Sequence, residues 1–217
     1  MGNRQNLGQR RGESPVAWLK DLVDAVACLN NLCYNVVMKV FAHHAVRPIA
    51  DLIRQGGVLV FPTDTVWGIG GNGLDANVAA RVIAVKGKPA GAKLIWLLPS
   101  VRAVTKYCGT LSPTTKKLLN QKHTTVIVRG QAVRVVKHGW VNRLLQAAGV
   151  PVIASSANRH GQPTITAWRQ AAAVFGEQID AVVKGRKVYH TAPSTVVALD
   201  EHDQPQIIRP GGGIDIK

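Results

Sequence analysis

Residues 58–68 read Val58-Leu59-Val60-Phe61-Pro62-Thr63-Asp64-Thr65-Val66-Trp67-Gly68, an apolar run that ends in small polar side chains. The run over 58–61 is typical of a buried β-strand, because it is short, continuous and rich in β-branched residues. A second apolar run, over 150–154, follows about ninety residues later and leads into Ser155-Ser156-Ala157-Asn158-Arg159-His160-Gly161-Gln162-Pro163-Thr164. Open α/β sheets bind ligands at the carboxyl ends of their strands, so both segments predict ligand-binding loops.

Helical and strand patterns alternate along the rest of the chain. Helices are predicted over 48–55, 76–85, 140–148 and 166–175, and strands over 94–98, 125–128, 133–136, 151–154, 181–183, 195–199 and 206–208. Ser100 and Ser112 are predicted N-caps of two further helices. The close strand pairs within 125–136 and 195–208 predict antiparallel hairpins. We therefore expect a single α/β domain whose twisted sheet mixes parallel and antiparallel strands and is flanked by helices.

The first 37 residues do not share this alternation. Residues 1–15 are polar and rich in Gly, Arg and Gln, which is typical of a tail, and residues 16–40 carry apolar side chains at helical spacing. The regular pattern begins after Met38. The predicted organisation is an N-terminal appendage over 1–37, made of a polar tail and an amphipathic helix, followed by one α/β domain over 38–217.

The charge of the chain is strongly positive and unevenly distributed. Lys and Arg number 27 against 12 Asp and Glu, a net charge of +15, and no acidic residue lies between Asp75 and Glu177. Such a field concentrates polyanions, and the candidates are nucleotides, pyrophosphate and RNA. The few aromatic residues do not predict a stacking platform for single strands. A basic surface that serves only solubility is the alternative.

Several classes of protein are disfavoured by motif and composition. The run Gly68-Ile69-Gly70-Gly71-Asn72-Gly73 matches the dinucleotide fingerprint, but the acidic residue expected about twenty residues later is missing. Cys28, Cys33 and Cys108 form no CxxC pair, which predicts free thiols in a reducing compartment. Nothing in the sequence suggests a membrane span or a structural metal, and we expect a cytoplasmic protein.

Six short motifs occur in a fixed order: 61–68 as quoted above, Lys86-Gly87-Lys88-Pro89, Ala132-Val133-Arg134-Val135, 155–161 as quoted above, Pro193-Ser194-Thr195-Val196-Val197 and Ile208-Arg209-Pro210-Gly211. In this order and spacing they resemble the YrdC-domain family, the threonylcarbamoyl-AMP synthases, in their short bacterial form. The resemblance covers roughly residues 40–213.

This resemblance implies a nucleotidyltransferase, L-threonylcarbamoyladenylate synthase, which makes threonylcarbamoyl-AMP and pyrophosphate from L-threonine, bicarbonate and ATP. The product feeds the threonylcarbamoyl modification of tRNA adenosine 37 through downstream transferase proteins, and Mg²⁺ accompanies the ATP. No covalent nucleophile is implied. The implied ATP-binding residues are Lys86, Lys88, Ser156, Asn158, Thr164 and Arg209, and the implied threonine-binding residues are Thr65, Arg134, Ala154 and Ser194.

The chain departs from the family pattern at a few positions. Lys88 stands where family members usually carry Arg, which keeps the charge but removes a bidentate phosphate contact. Trp67 replaces the commoner Tyr, and the segment 91–94 lacks the usual Pro-Leu. These departures leave open a second class of function, a non-catalytic or altered paralogue of the same fold that binds RNA or nucleotide. Taken singly, Arg134 between two valines could also face solvent.

Overall fold

The computed structural model describes residues 38–185 and 192–214. The predicted appendage over 1–37 lies outside the described residues. The helix predicted over 16–40 overlaps them only at its end, and there the prediction is wrong. Lys39 begins a strand, because residues 39–41 pair in parallel with residues 181–183 and so satisfy their backbone groups in a sheet.

Strands and helices alternate along the described residues. The strands are β1 (Lys39–Phe41), β2 (Leu59–Pro62), β3 (Trp67–Gly70), β4 (Ile95–Leu98), β5 (Thr124–Val128), β6 (Gln131–Val135), β7 (Val152–Ser156), β8 (Ala181–Val183), β9 (Thr195–Leu199) and β10 (Pro205–Arg209). The helices are α1 (Val46–Arg54), α2 (Ala76–Lys86), α3 (Val101–Cys108), α4 (Pro113–Leu119), α5 (Gly139–Ala148) and α6 (Gln170–Phe175), with one 3₁₀ turn (Gly176–Gln178).

The strands form one mixed sheet in the order β1-β8-β2-β3-β7-β4-β6-β5-β9-β10. The pairs β1–β8, β8–β2, β4–β6 and β5–β9 are parallel, and the remaining pairs are antiparallel. Both predicted hairpins are present. The expected fold class, an α/β domain with a mixed sheet and flanking helices, is confirmed.

Local signals place the element ends where the sequence predicts them. Ser100 Oγ accepts the backbone N–H of Ala103, and Ser112 Oγ accepts that of Thr115, so both predicted N-caps are confirmed. Each such cap stabilises its helix by about 1 kcal/mol. Helix α5 ends at Gly149, whose φ of 69° lies in the left-handed region that glycine adopts without strain.

Two segments differ from the prediction. Trp67–Gly70 is a strand, where the sequence predicted only a loop, and it pairs antiparallel with both β2 and β7. A Cβ on Gly70 would lie 1.7 Å from the carbonyl oxygen of Ile153, so this glycine permits close packing of strands and not a phosphate turn. Helix α6 begins at Gln170, not at 166, because the Gln170 side chain accepts the backbone N–H groups of residues 166 and 167 and holds a turn there.

Apolar side chains cover the sheet unequally. Along β2, alternate side chains point to opposite faces of the sheet. Leu59 and Phe61 pack in a cluster beneath α1 and α5 on one face, and Val58 and Val60 pack in a cluster beneath α2 and α6 on the other. Around β5, β6 and β9, one face packs against α3 and α4 in a third cluster that includes Val133. The opposite face of these three strands lines a cavity. Among the described residues, no helix is long and apolar enough to cross a membrane.

Candidate functional site

The cavity has a volume of about 280 Å³. It lies between the open face of β5, β6 and β9, the polar loop that follows β2, the end of β7 and the segment that joins α2 to β4. Its lining residues are Thr63, Thr65, Val66, Gly68, Lys88, Lys93, Leu94, Ile95, Ile127, Ala132, Arg134, Ala154, Ser155, Ser156, Pro193, Ser194, Val196 and Arg209. The strand-end loops thus form only part of the site, and the sheet face supplies the rest.

Seven of the ten ligand-binding residues implied by the family resemblance line this cavity. They are Thr65, Lys88, Arg134, Ala154, Ser156, Ser194 and Arg209. The remaining three, Lys86, Asn158 and Thr164, do not line it. The six motifs that carry or adjoin the seven residues are distant in sequence, and the sheet order brings them together.

Arg134 is the most deeply buried charge in the cavity wall, with 5% of its surface exposed. Its Nη2 lies 3.0 Å from Asp64 Oδ1, and its Nη1 donates to Thr65 Oγ1 at 3.2 Å. Nε has no acceptor among the described residues. Burial lowers the pKa of Arg134 and the Asp64 carboxylate opposes that shift, while Arg209 adds to it. A buried guanidinium with an unpaired N–H suits a planar anion such as a carboxylate.

Lys86 is buried, with 1% of its surface exposed, and its ammonium group faces the loop after β7. Nζ donates to the carbonyl oxygen of Ser156, to the carbonyl oxygen of Asn158 at 2.6 Å and to Asn158 Oδ1 at 3.0 Å. An ammonium group has three donors, so all of them are used. Burial, followed by the nearby charge of Lys88, lowers the pKa of Lys86 from 10.5 to about 8. Lys86 therefore holds the loop backbone beside the cavity.

Asn158 is committed to the same loop. Its Oδ1 accepts from Ser156 Oγ at 2.6 Å, and its Nδ2 donates to the carbonyl oxygens of Arg159 and Gln162. Thr164 is half-buried and lies beyond this loop. In this structure Asn158 shapes the loop, and Ser155 and Ser156 are the members of the segment that line the cavity.

Ser194 is fixed by a neighbour that sequence reasoning missed. Thr125 is fully buried, and its Oγ1 forms a hydrogen bond with Ser194 Oγ at 2.8 Å. Arg209 Nη2 donates to the Ser194 carbonyl oxygen at 2.8 Å, and burial lowers the pKa of Arg209. One signal in the sequence could have identified Thr125. It is a polar residue in an otherwise apolar strand, next to Val126, which packs in the third cluster on the opposite face of the sheet. Asp64, which the sequence did not predict as a site residue, pairs with Arg134.

Four cationic side chains line the cavity, and no carboxylate belongs to its described lining. They are Lys88, Lys93, Arg134 and Arg209. Lys93 was not predicted as a site residue. The fold and the site together define an α/β domain with a cationic, hydroxyl-rich cavity that suits a ligand carrying carboxylate or phosphate groups.

Comparison with known proteins agrees with this class. The Sua5_yciO_yrdC family model, described as "Telomere recombination", matches residues 51–211. The threonylcarbamoyl-AMP synthase of Pyrococcus abyssi is 30% identical over 184 residues, 77% of this chain and 54% of that protein. The synthase of Cellvibrio japonicus is 29% identical over 178 residues, 74% of this chain and 93% of that protein.

A solved structure supports the same relationship. The structure of P. abyssi Sua5 complexed with L-threonine matches with a TM-score of 0.72 and 28% identity, over 81% of this chain and 58% of the other. The chain thus spans about half the length of the P. abyssi synthase and nearly all of the Cellvibrio one. It belongs to the Sua5/YciO/YrdC family.

Proposed function

We propose that this chain is an L-threonylcarbamoyladenylate synthase, a nucleotidyltransferase that converts L-threonine, bicarbonate and ATP into threonylcarbamoyl-AMP and pyrophosphate. Its support is the name shared by both relatives, the L-threonine in the related solved structure and the cavity described above. The single observation that carries it is Arg134, a buried guanidinium whose Nε has no acceptor among the described residues.

The carboxylate of L-threonine would bind Arg134, whose planar fork donates two parallel hydrogen bonds to one anion. The hydroxyls of Thr65 and Ser194 belong to the same lining, beside the apolar side chains of Ile127 and Val196. A pocket of this kind selects a substrate hydroxyl, because an amino acid that lacks it leaves a buried polar group unpaired. L-Valine, which has threonine's shape without its hydroxyl, should therefore be a poor substrate.

ATP would take the cationic side of the cavity, with Lys88 and Arg209 toward the phosphates and Ser156 as a hydrogen-bond donor. Mg²⁺ would arrive with the nucleotide. The described lining offers hydroxyls but no carboxylate, which fits an ion held mainly by phosphate oxygens and water. The ion would neutralise part of the negative charge of the phosphates.

The reaction needs positioning more than covalent participation of the protein. The amine of threonine and bicarbonate give a carbamate and water. A carbamate oxygen then forms a bond to the α-phosphorus of ATP, and the bond from that phosphorus to the bridging oxygen of pyrophosphate breaks. Cations around the phosphates stabilise the charge that develops on the departing pyrophosphate. The product would pass to downstream transferase proteins for tRNA modification in the cytoplasm, with tRNA as a further partner of the basic surface.

The test is pyrophosphate release by the purified chain with ATP, Mg²⁺ and bicarbonate. We expect release that depends on L-threonine and stops when bicarbonate is removed, with L-valine and L-serine as matched controls. Mass spectrometry should identify the threonylcarbamoyl adenylate. Absence of any threonine-dependent release would overturn the proposal and favour the alternative of a nucleotide- or RNA-binding paralogue.

A further inference from the structure

Two lysines lie in the segment that joins α2 to β4, and both line the cavity. Lys88 is half-buried, and Lys93 is exposed. Neither side chain has a hydrogen bond or an ion pair with any residue in 38–185 or 192–214. Both ammonium groups are therefore free, as far as the described chain goes, to bind an anion.

The other cations at the site each have at least one protein partner. Arg134 pairs with Asp64, and Arg209 donates to the carbonyl oxygen of Ser194, the residue before β9. Lys86, which does not line the cavity, uses all three of its donors on Ser156 and Asn158. Among the cations that line the cavity, Lys88 and Lys93 are thus the two that have no partner among the described residues, so all their donors are available to a ligand. A triphosphate offers several acidic oxygens and can take both.

We propose that Lys93 is a polyphosphate-binding residue that acts together with Lys88. This proposal rests on the proposed function and deepens it. The family resemblance implies a guanidinium at position 88, which would bind two phosphate oxygens by itself, whereas an ammonium group is a compact point charge. A second ammonium group restores the second phosphate contact that Lys88 alone does not make, and both groups would stabilise the negative charge that develops on the departing pyrophosphate.

The experiment compares Lys93→Met and Lys93→Arg with Lys117→Met. Lys117 is an exposed lysine of α4 outside the cavity lining, so it controls for loss of one surface charge. The measurements are the affinity for MgATP without threonine by calorimetry, the KM values for ATP and threonine, and inhibition by added pyrophosphate. K93M should weaken ATP binding and pyrophosphate inhibition roughly tenfold, about the worth of one charge-assisted hydrogen bond, and leave the KM for threonine unchanged. K93R should stay close to wild type.

Two outcomes overturn the proposal. One is an ATP affinity of K93M equal to that of K117M. The other is a rise in the KM for threonine that matches the rise for ATP, which would mean that Lys93 acts on the shape of the cavity. If the wild type binds ATP but releases no threonine-dependent pyrophosphate, the synthase proposal fails while the calorimetric comparison still decides on Lys93. If the wild type binds no ATP, both proposals fail.

Discussion

Replacing Lys86 with Met tests whether this lysine supports the loop after β7 or binds the ligand directly. Methionine fills a similar volume but donates no hydrogen bond, so the carbonyl oxygens of Ser156 and Asn158 and the Asn158 Oδ1 lose their donor. Because the side chain is almost fully buried, these acceptors lose a partner in a place with little access to water. We therefore expect the variant to be less stable even when no ligand is present.

The magnitude follows from two opposing effects at Lys86. Each hydrogen bond to a charged group contributes roughly 1.5–3 kcal/mol, and three are lost. Removal of the buried charge offsets part of this loss of stability, because the fall of the pKa of Lys86 from 10.5 to about 8 corresponds to about 3 kcal/mol of unfavourable charge burial. The net loss should be about 3 kcal/mol, which for a chain of this size lowers the Tm by roughly 6–12 °C.

The assay is urea and thermal unfolding of the ligand-free protein, with Lys88→Met as the matched control. Lys88 is half-buried and its side chain has no partner among the described residues, so K88M should change the unfolding free energy by no more than about 0.5 kcal/mol. A K86M variant as stable as K88M would refute the reasoning. The ammonium group would then be dispensable to the loop, and the ATP contact implied by the family resemblance would be the better account of Lys86.

Three further predictions concern pH, nucleotide and amino acid. The pKa of Lys86 is about 8 in the folded chain and 10.5 in the unfolded chain, so between these pH values the unfolded state binds one more proton than the folded state. The unfolding free energy of the wild type, relative to that of K86M, should therefore rise by up to about 3 kcal/mol from about pH 8 to pH 10.5. A difference in unfolding free energy that does not change with pH in urea denaturation would contradict this. Lys88→Arg should hold or raise the rate of pyrophosphate release, since it adds a bidentate phosphate contact, whereas a large loss would show that position 88 is misaligned with the family motif. Arg134→Gln should raise the KM for threonine at least tenfold and leave the calorimetric ATP affinity within about threefold of wild type, because under the proposed function it removes the charge that would face the carboxylate. Equal losses for both substrates would argue against a threonine-specific role.

Much of the fold and part of the site could be predicted from the sequence. Strand runs, helix periods and the capping residues Ser100 and Ser112 depend on groups within a few positions of one another, so their structure follows from local sequence. The order of the polar motifs identified the family and seven cavity residues. Strand β3 was missed because its glycines carry no hydrophobic pattern, and their role becomes visible only when β7 lies against them.

The sequence by itself determined the alternation of elements, the two polar loops and the positive charge of the chain. Tertiary structure alone decided how the charges are used. Arg134 is buried against Asp64 because β6 and the loop after β2 meet across the twisted sheet, and Lys86 bonds to Asn158 across 72 residues of sequence. Such partners depend on strand order and on which face a side chain takes, and neither is encoded within any short segment. The sequence therefore predicted seven of the residues that line the cavity, whereas the packing determined that Lys86 supports the loop and that Lys88 and Lys93 have no partner among the described residues.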